Sequence, residues 1–167
     1  LKGLKMDYNV IIEQGHSKEN DAIIEFLIPK CVGYTLDIGA NAGYLISKLP
    51  NAVGVDNSPI VVDKAKELGR NVILVKDKLP FEDKTFSTVV LSCVLEQCKD
   101  WEKVLHEALR VCKGKVIGIN PIPEKSAWGF VGGWVKSVIK PSYLEFNYNA
   151  EISYPDLVGK YCFEIFA

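Results

Sequence analysis

What the sequence lacks narrows its function before any motif is read. Its five cysteines, Cys31, Cys93, Cys98, Cys112 and Cys162, include no C-x-x-C pair, and His16 and His106 are its only histidines. Neither a disulfide scaffold nor a bound metal is therefore expected, and Cys93 and Cys98 read as packed thiols. Neither sign of charge dominates: 20 Lys plus Arg stand against 21 Asp plus Glu, a net charge of -1. That balance withholds the electrostatic grip that sequence-independent nucleic-acid binding requires. No cationic start leads into a secretory apolar stretch, and no run reaches the ~18–20 apolar residues of a membrane span. A reducing cytoplasm is the expected setting. Internal repeats, low-complexity tracts and linkers are also missing.

What is present reads as one globular domain. The 167 residues are 48% apolar and 25% charged, ordinary for a chain that buries a single core. From about Tyr34 onward, apolar runs bounded by Gly, Asn and Asp alternate with segments of helical period. Strands are predicted at Tyr34–Ile38, Ala52–Asp56, Asn71–Val75, Ser87–Ser92 and Lys115–Ile119, nearly continuous in apolar character, as strands covered on both faces are. A helix over Ser17–Ile28 precedes them, and another begins near Ala42. Ser58-Pro59 opens the next, closed by Gly69, and Asp100 is placed to cap a helix whose apolar face is Trp101, Val104, Leu105, Ala108, Leu109 and Cys112. On that helix Lys103, Glu107 and Arg110 are expected to face water. The expected architecture is α/β: a doubly wound, mostly parallel sheet with helices on both faces and a ligand site beyond the carboxyl ends of the strands.

The loops after those strands carry the chemistry. Asp37-Ile-Gly39-Ala-Asn41-Ala-Gly43 follows the first strand; its glycines permit positive φ and close approach of a ligand to the backbone. The carboxylate just before them repels a diphosphate and suits a cationic or hydroxyl-bearing ligand. Two of the three glycines of a G-x-G-x-x-G dinucleotide fingerprint are missing, which demotes NAD and leaves a nucleotide-dependent oxidoreductase a distant reading. The second strand ends in Asp56, placed either to grip ribose hydroxyls or to cap the helix at Ser58. After the third strand, Lys76-Asp77-Lys78-Leu79-Pro80-Phe81 offers a carboxylate for an exocyclic amine and an apolar cover for a ring. Three acidic residues thus close three successive strands.

With these segments the chain resembles the class I S-adenosylmethionine-dependent methyltransferases, and within them the type 11 branch of small-molecule enzymes. Leu36-Asp-Ile-Gly-Ala-Asn-Ala-Gly43 looks like the family's first motif and Val53-Gly-Val-Asp-Asn-Ser58 like its second. Leu79-Pro-Phe-Glu-Asp-Lys-Thr-Phe86, Val104-Leu-His-Glu-Ala-Leu-Arg-Val111 and Ser126-Ala-Trp-Gly129 are similar to three further segments. The resemblance implies S-adenosylmethionine as cofactor. It places Asp37 near the methionine amino group, Gly39, Ala40, Asn41 and Gly43 beneath the cofactor, and Asp56 on both ribose hydroxyls. It also puts Asp77 on the adenine amine, the Lys78 N–H on the ring, Leu79 or Asn57 against it, and Ser92 or Cys93 beside the methionine arm.

The sequence departs from the family at Ser87, at Glu96-Gln97, where many members carry two histidines, and at a shortened Lys113-Gly114-Lys115 turn. Tyr161–Ala167 reads as one more strand with nothing left for the usual final antiparallel hairpin, so six strands are expected in place of seven. The single domain divides into an amino-terminal cap (1–33), a cofactor-binding core (34–120), a substrate lid (121–160) and a terminal strand (161–167). A small-molecule acceptor is expected to meet Tyr8, His16, Glu96 and Trp128, with two readings open for His16, an acceptor contact or a surface or capping residue, and two for Glu96, a polar contact to the acceptor or an exposed helix-start residue. Asn120-Pro121 reads as a decoy for an acceptor motif. The aromatic segment 128–139 lines an apolar pocket or packs on the sheet or a second copy of the chain. The alternative to an enzyme is a non-catalytic module that keeps the pocket to bind the cofactor or a protein partner.

Overall fold

The computed structural model describes residues 18–122, 137–157 and 159–167. Seven strands form one sheet: β1 (Thr35–Ile38), β2 (Ala52–Asp56), β3 (Val72–Leu74), β4 (Phe86–Ser92), β5 (Cys112–Pro121), β6 (Glu151–Ser153) and β7 (Lys160–Phe166). Their order is β3-β2-β1-β4-β5-β7-β6, with β1 to β5 parallel and β7 antiparallel to both β5 and β6. The expected doubly wound sheet is therefore present. The final antiparallel pair, however, is complete: β6 supplies the seventh strand that the sequence reading left out. Its three residues Glu151-Ile-Ser153, of which only Ile152 is half-buried, carry no alternation long enough to be read.

The helices among the described residues are α1 (Lys18–Leu27), α2 (Pro59–Glu67), α3 (Trp101–Val111) and α4 (Pro141–Tyr148). α2 starts on Pro59, whose fixed φ suits a first turn, and Gly69 follows its end at φ 68°. The helix expected near Ala42 does not form. Asn41 and Gly43 both take left-handed φ, and between them and Pro50 only a 3-10 turn, Ile46–Lys48, fits. Asp100 occupies the cap position of α3, yet its side chain makes no cap bond; Oδ2 accepts from Lys103 Nζ at 3.3 Å instead.

Strand side chains alternate between two apolar layers. Leu36, Ile38, Val89, Leu91 and Val116 join Leu105, Ala108 and Val111 of α3 on one face, while Val90, Ile117 and Ile119 meet Ile23 and Leu27 of α1 on the other. Both faces of the central strands are thus covered, which is why these strands read as continuous apolar runs. Glu107 and Arg110 do not face water as expected. Arg110 donates to the carbonyls of Leu79 (3.2 Å) and Phe81 (2.9 Å) and to Asp83 Oδ1 (2.8 Å), and Glu107 Oε2 accepts from the Leu79 N–H at 3.1 Å. α3 thereby holds the segment after β3 at the edge of the candidate site.

Candidate functional site

The carboxyl ends of β1, β2 and β4 converge, and the loop after β1 is fastened to β2. Gly39 and Ala40 donate their N–H groups to Val55 O at 2.9 and 3.0 Å. Asp56 then joins two loops through one carboxylate: Oδ2 accepts from Asn41 N and Oδ1 from Ser58 N, both at 2.9 Å. The capping and ligand readings of Asp56 are compatible, because each oxygen keeps a lone pair after accepting one N–H. Gly39 has φ 73°, and a Cβ there would fall 2.5 Å from Val94 Cγ2, so any other residue would strain the loop and crowd the turn after β4.

Asp37 lies inside this frame on β1, on the sheet face opposite Leu36 and Ile38. It is only 5% exposed and accepts no hydrogen bond among the described residues. Burial, reinforced by the charge of Asp56, pushes its carboxyl up to about 7. A buried carboxylate without a partner is costly unless a cation or donor arrives to meet it. Asp77 and Lys78 are exposed on the segment after β3, and Asn57 is exposed after β2. Leu79, by contrast, is buried in the core beneath that segment, which leaves Asn57 as the exposed member of the pair considered for a ring contact.

Beyond β4 the chain bends sharply. Cys93 takes φ 55°, a left-handed conformation rare outside glycine, and its N–H donates to Ile119 O at 2.8 Å. Ser92 and Cys93 are half-buried at this bend. The 3-10 turn Leu95–Gln97 follows, and here the exposed-residue reading of Glu96 fails: the side chain is 7% exposed, with its carboxyl pushed up to about 7, mainly by burial. A distant segment is fastened to this turn: Ser137 N donates to Glu96 O at 3.1 Å and Ser137 Oγ to Cys98 O at 2.8 Å. Asn120, set aside in the sequence as a decoy, is 1% exposed at the end of β5 and donates Nδ2 to Tyr161 Oη at 3.0 Å. The signal for it was one amide ending the apolar run Val116-Ile-Gly-Ile119. Tyr8, His16 and Trp128 lie outside the described residues, as does most of segment 128–139. Among the described residues, no three His, Cys, Asp or Glu side chains gather as a metal site, and no helix is long and apolar enough to cross a membrane.

Comparisons with known proteins bear on the family and the fold. Residues 36–118 match the family described as a methyltransferase domain. An uncharacterized protein of Methanocaldococcus jannaschii is 37% identical over 93 residues, 54% of this chain and 44% of that relative, so the match spans less than half of the relative's length. The fold is similar to that of the chain solved in complex with the Trm112 methyltransferase activator of Haloferax volcanii (TM-score 0.74, 15% identity, 99% of each chain). It is similar also to a protein of Pyrococcus horikoshii (0.71, 22%, 98% and 99%) and to a SAM-dependent methyltransferase of Aquifex aeolicus (0.63, 21%, 98% of each).

Proposed function

The chain belongs to the class I S-adenosylmethionine-dependent methyltransferases through the methyltransferase domain at residues 36–118, and on that premise we propose that it moves a methyl group from this cofactor to a small-molecule acceptor. The observation that carries the reading is Asp37: a carboxylate only 5% exposed that accepts no hydrogen bond among the described residues, beside a left-handed glycine loop, with a second carboxylate close enough to raise its proton affinity. A diphosphate would meet repulsion there, whereas an amino acid's ammonium would be drawn in. When bound, S-adenosylmethionine supplies a methyl group already activated on a sulfonium.

The chain's own contribution is positioning and exclusion of water. Asp37 holds the ammonium end, and Gly39 and Gly43, which carry no side chain, let the loop backbone come close to the ligand. Asp56 spends its remaining lone pairs on the ribose hydroxyls, while Asn57, Asp77 and the Lys78 N–H meet the adenine. Glu107 and Arg110 act one step behind, holding the Leu79–Asp83 backbone that carries the adenine end. Ser92 and Cys93 border the methionine arm, and Glu96 faces the acceptor. Tyr8, His16 and Trp128 complete the acceptor side of this proposal, in a cytoplasmic protein; of the segment 121–160 expected as a lid, Pro121, Glu151–Ser153 and Lys160 belong to the sheet instead.

A second reading, a module completed by a protein partner, is supported by the edge of the sheet. Ile73 and Leu74 on edge strand β3 are exposed, as are Ile60 and Leu68 on and just beyond α2 beside it. A calorimetric titration with S-adenosylmethionine and S-adenosylhomocysteine, with NAD as control, tests the function. Binding of the first two and not the third is expected; binding of NAD alone would overturn the reading. Cofactor binding without turnover of any acceptor would favour the partner-completed module.

A further inference from the structure

Two buried acceptor atoms stand without a hydrogen-bond partner among the described residues, Glu96 Oε2 and Asn120 Oδ1. They belong to neighbouring strand ends: Glu96 is in the turn that leaves β4, and Asn120 is near the end of β5, one residue past Ile119, which stands opposite Ser92. Tyr161, opposite Asn120 on β7, ties the two together. It is fully buried, it accepts from Asn120 Nδ2, and it feels the charge of Glu96. Its own O–H donates to Ile139 O at 2.9 Å. The segment 137–139 thus spans the group, held to Glu96 O at one end and to Tyr161 at the other.

The hydrogen bonds of Tyr161 fix which way the Asn120 amide points. With the tyrosine proton spent on Ile139 O, its oxygen can only accept, so it takes the amide NH2 and turns Oδ1 away. Asn120 Oδ1 is therefore an acceptor, and so is Glu96 Oε2 once its carboxyl is ionised, the form that an arriving ammonium favours. Leaving both buried and unmatched is the kind of cost that native interiors avoid unless something else is bound there. An acceptor that carries a carboxylate or phosphate toward these atoms would add acceptors to acceptors. A hydroxyl brings one hydrogen for two sites, whereas a primary amine, or the ammonium of a primary or secondary amine, brings two or more.

We propose that Glu96 and Asn120 form an amine-recognition subsite on the acceptor side, with Tyr161 as the positioning residue that aims the Asn120 carbonyl. This deepens the methyltransferase reading and rests on it for the meaning of the site: the methyl acceptor is an N–H-bearing small molecule. The two acceptor atoms discriminate amines from isosteric acids by leaving the acid's oxygens unmatched.

Titration calorimetry on the full chain, with and without saturating S-adenosylhomocysteine, tests this. The probes are butylamine and phenethylamine, each paired with its isosteric acid, butyrate or hydrocinnamate. Amines are expected to bind at least about tenfold more tightly than the paired acids, and Glu96→Gln and Asn120→Ala each to weaken amine binding by about tenfold or more. Affinity for S-adenosylhomocysteine stays within about twofold in both variants, which also reports that they fold. Tyr161→Phe is expected to act like Asn120→Ala on amine affinity but to leave the acids unaffected, a split that a general loss of packing would not give. Equal affinity for amines and acids, amine binding indifferent to Glu96→Gln, or refusal of amines by a chain that takes S-adenosylhomocysteine would overturn the subsite alone. A chain that takes amines but not S-adenosylhomocysteine would overturn the methyltransferase reading and keep the subsite; one that takes neither would overturn both.

Discussion

Replacing Asp37 by Asn tests the centre of the site through two signatures of opposite sense. In the empty protein the carboxyl is raised from 3.8 to about 7 by burial and by Asp56. Because the folded state holds this proton more tightly than the unfolded chain, stability from the group is present in full below about pH 4 and is lost as pH climbs through 7. The difference corresponds to about 4 kcal/mol. Asp37→Asn removes the penalty, so the variant is expected to be the more stable protein at pH 8, with the gap closing toward pH 4. Ligand binding runs the other way. An ammonium needs the ionised carboxylate, of which about one tenth is present near pH 6 and about three quarters near pH 7.5. Affinity for S-adenosylhomocysteine should therefore rise about eightfold over that interval in the wild type, with proton release, and lose that slope in Asp37→Asn. Urea unfolding at both pH values and calorimetry in buffers of different ionisation enthalpy read the two effects. Glu96→Gln serves as control for the other carboxyl pushed up to about 7 and should keep the slope. A pH-independent wild-type affinity, or a slope that survives in Asp37→Asn, would refute the assignment.

Asp56→Ala should weaken S-adenosylhomocysteine binding by more than about tenfold, because it removes the hydroxyl grip along with the tie between Asn41 N and Ser58 N; calorimetry with unchanged affinity would sink the role. Arg110→Ala should cost roughly 2–4 kcal/mol in urea unfolding and speed hydrogen exchange at the Leu79 amide, since two carbonyls lose a charged donor and Glu107 loses its partner. Arg110→Lys, which cannot form the same fork, should recover little of that loss. Gly118→Ala should cost about 1–3 kcal/mol or more, because the added Cβ would intrude on the buried ring of Phe163; an unfolding midpoint equal to wild type would show that β5 and β7 can part to admit it.

The sequence by itself determined the sheet's core and made legible the loops proposed to hold the cofactor. β1, β2, β4 and β5 are covered on both faces, so burial is written directly into consecutive apolar residues, and Asp37 and Asp56 stand out as carboxylates at their ends. The glycine loop was legible for the same local reason, since Gly39 and Gly43 adopt left-handed φ that a sequence can announce. Only the tertiary structure decided the rest, because the causes lie far apart in the chain. β6 exists because β7 offers it an edge, and its three residues carry no period of their own. Glu107 and Arg110 look solvent-facing on the helical wheel, yet the segment after β3 folds back onto them and supplies two carbonyls and an N–H. The turn that carries Glu96 is fastened to Ser137, some forty positions later, and Asn120 gains its orientation from Tyr161, its neighbour across antiparallel strands. The proposed acceptor side is thus assembled from contacts between segments that no local pattern connects, whereas the loops of the proposed cofactor side each carry their own signal.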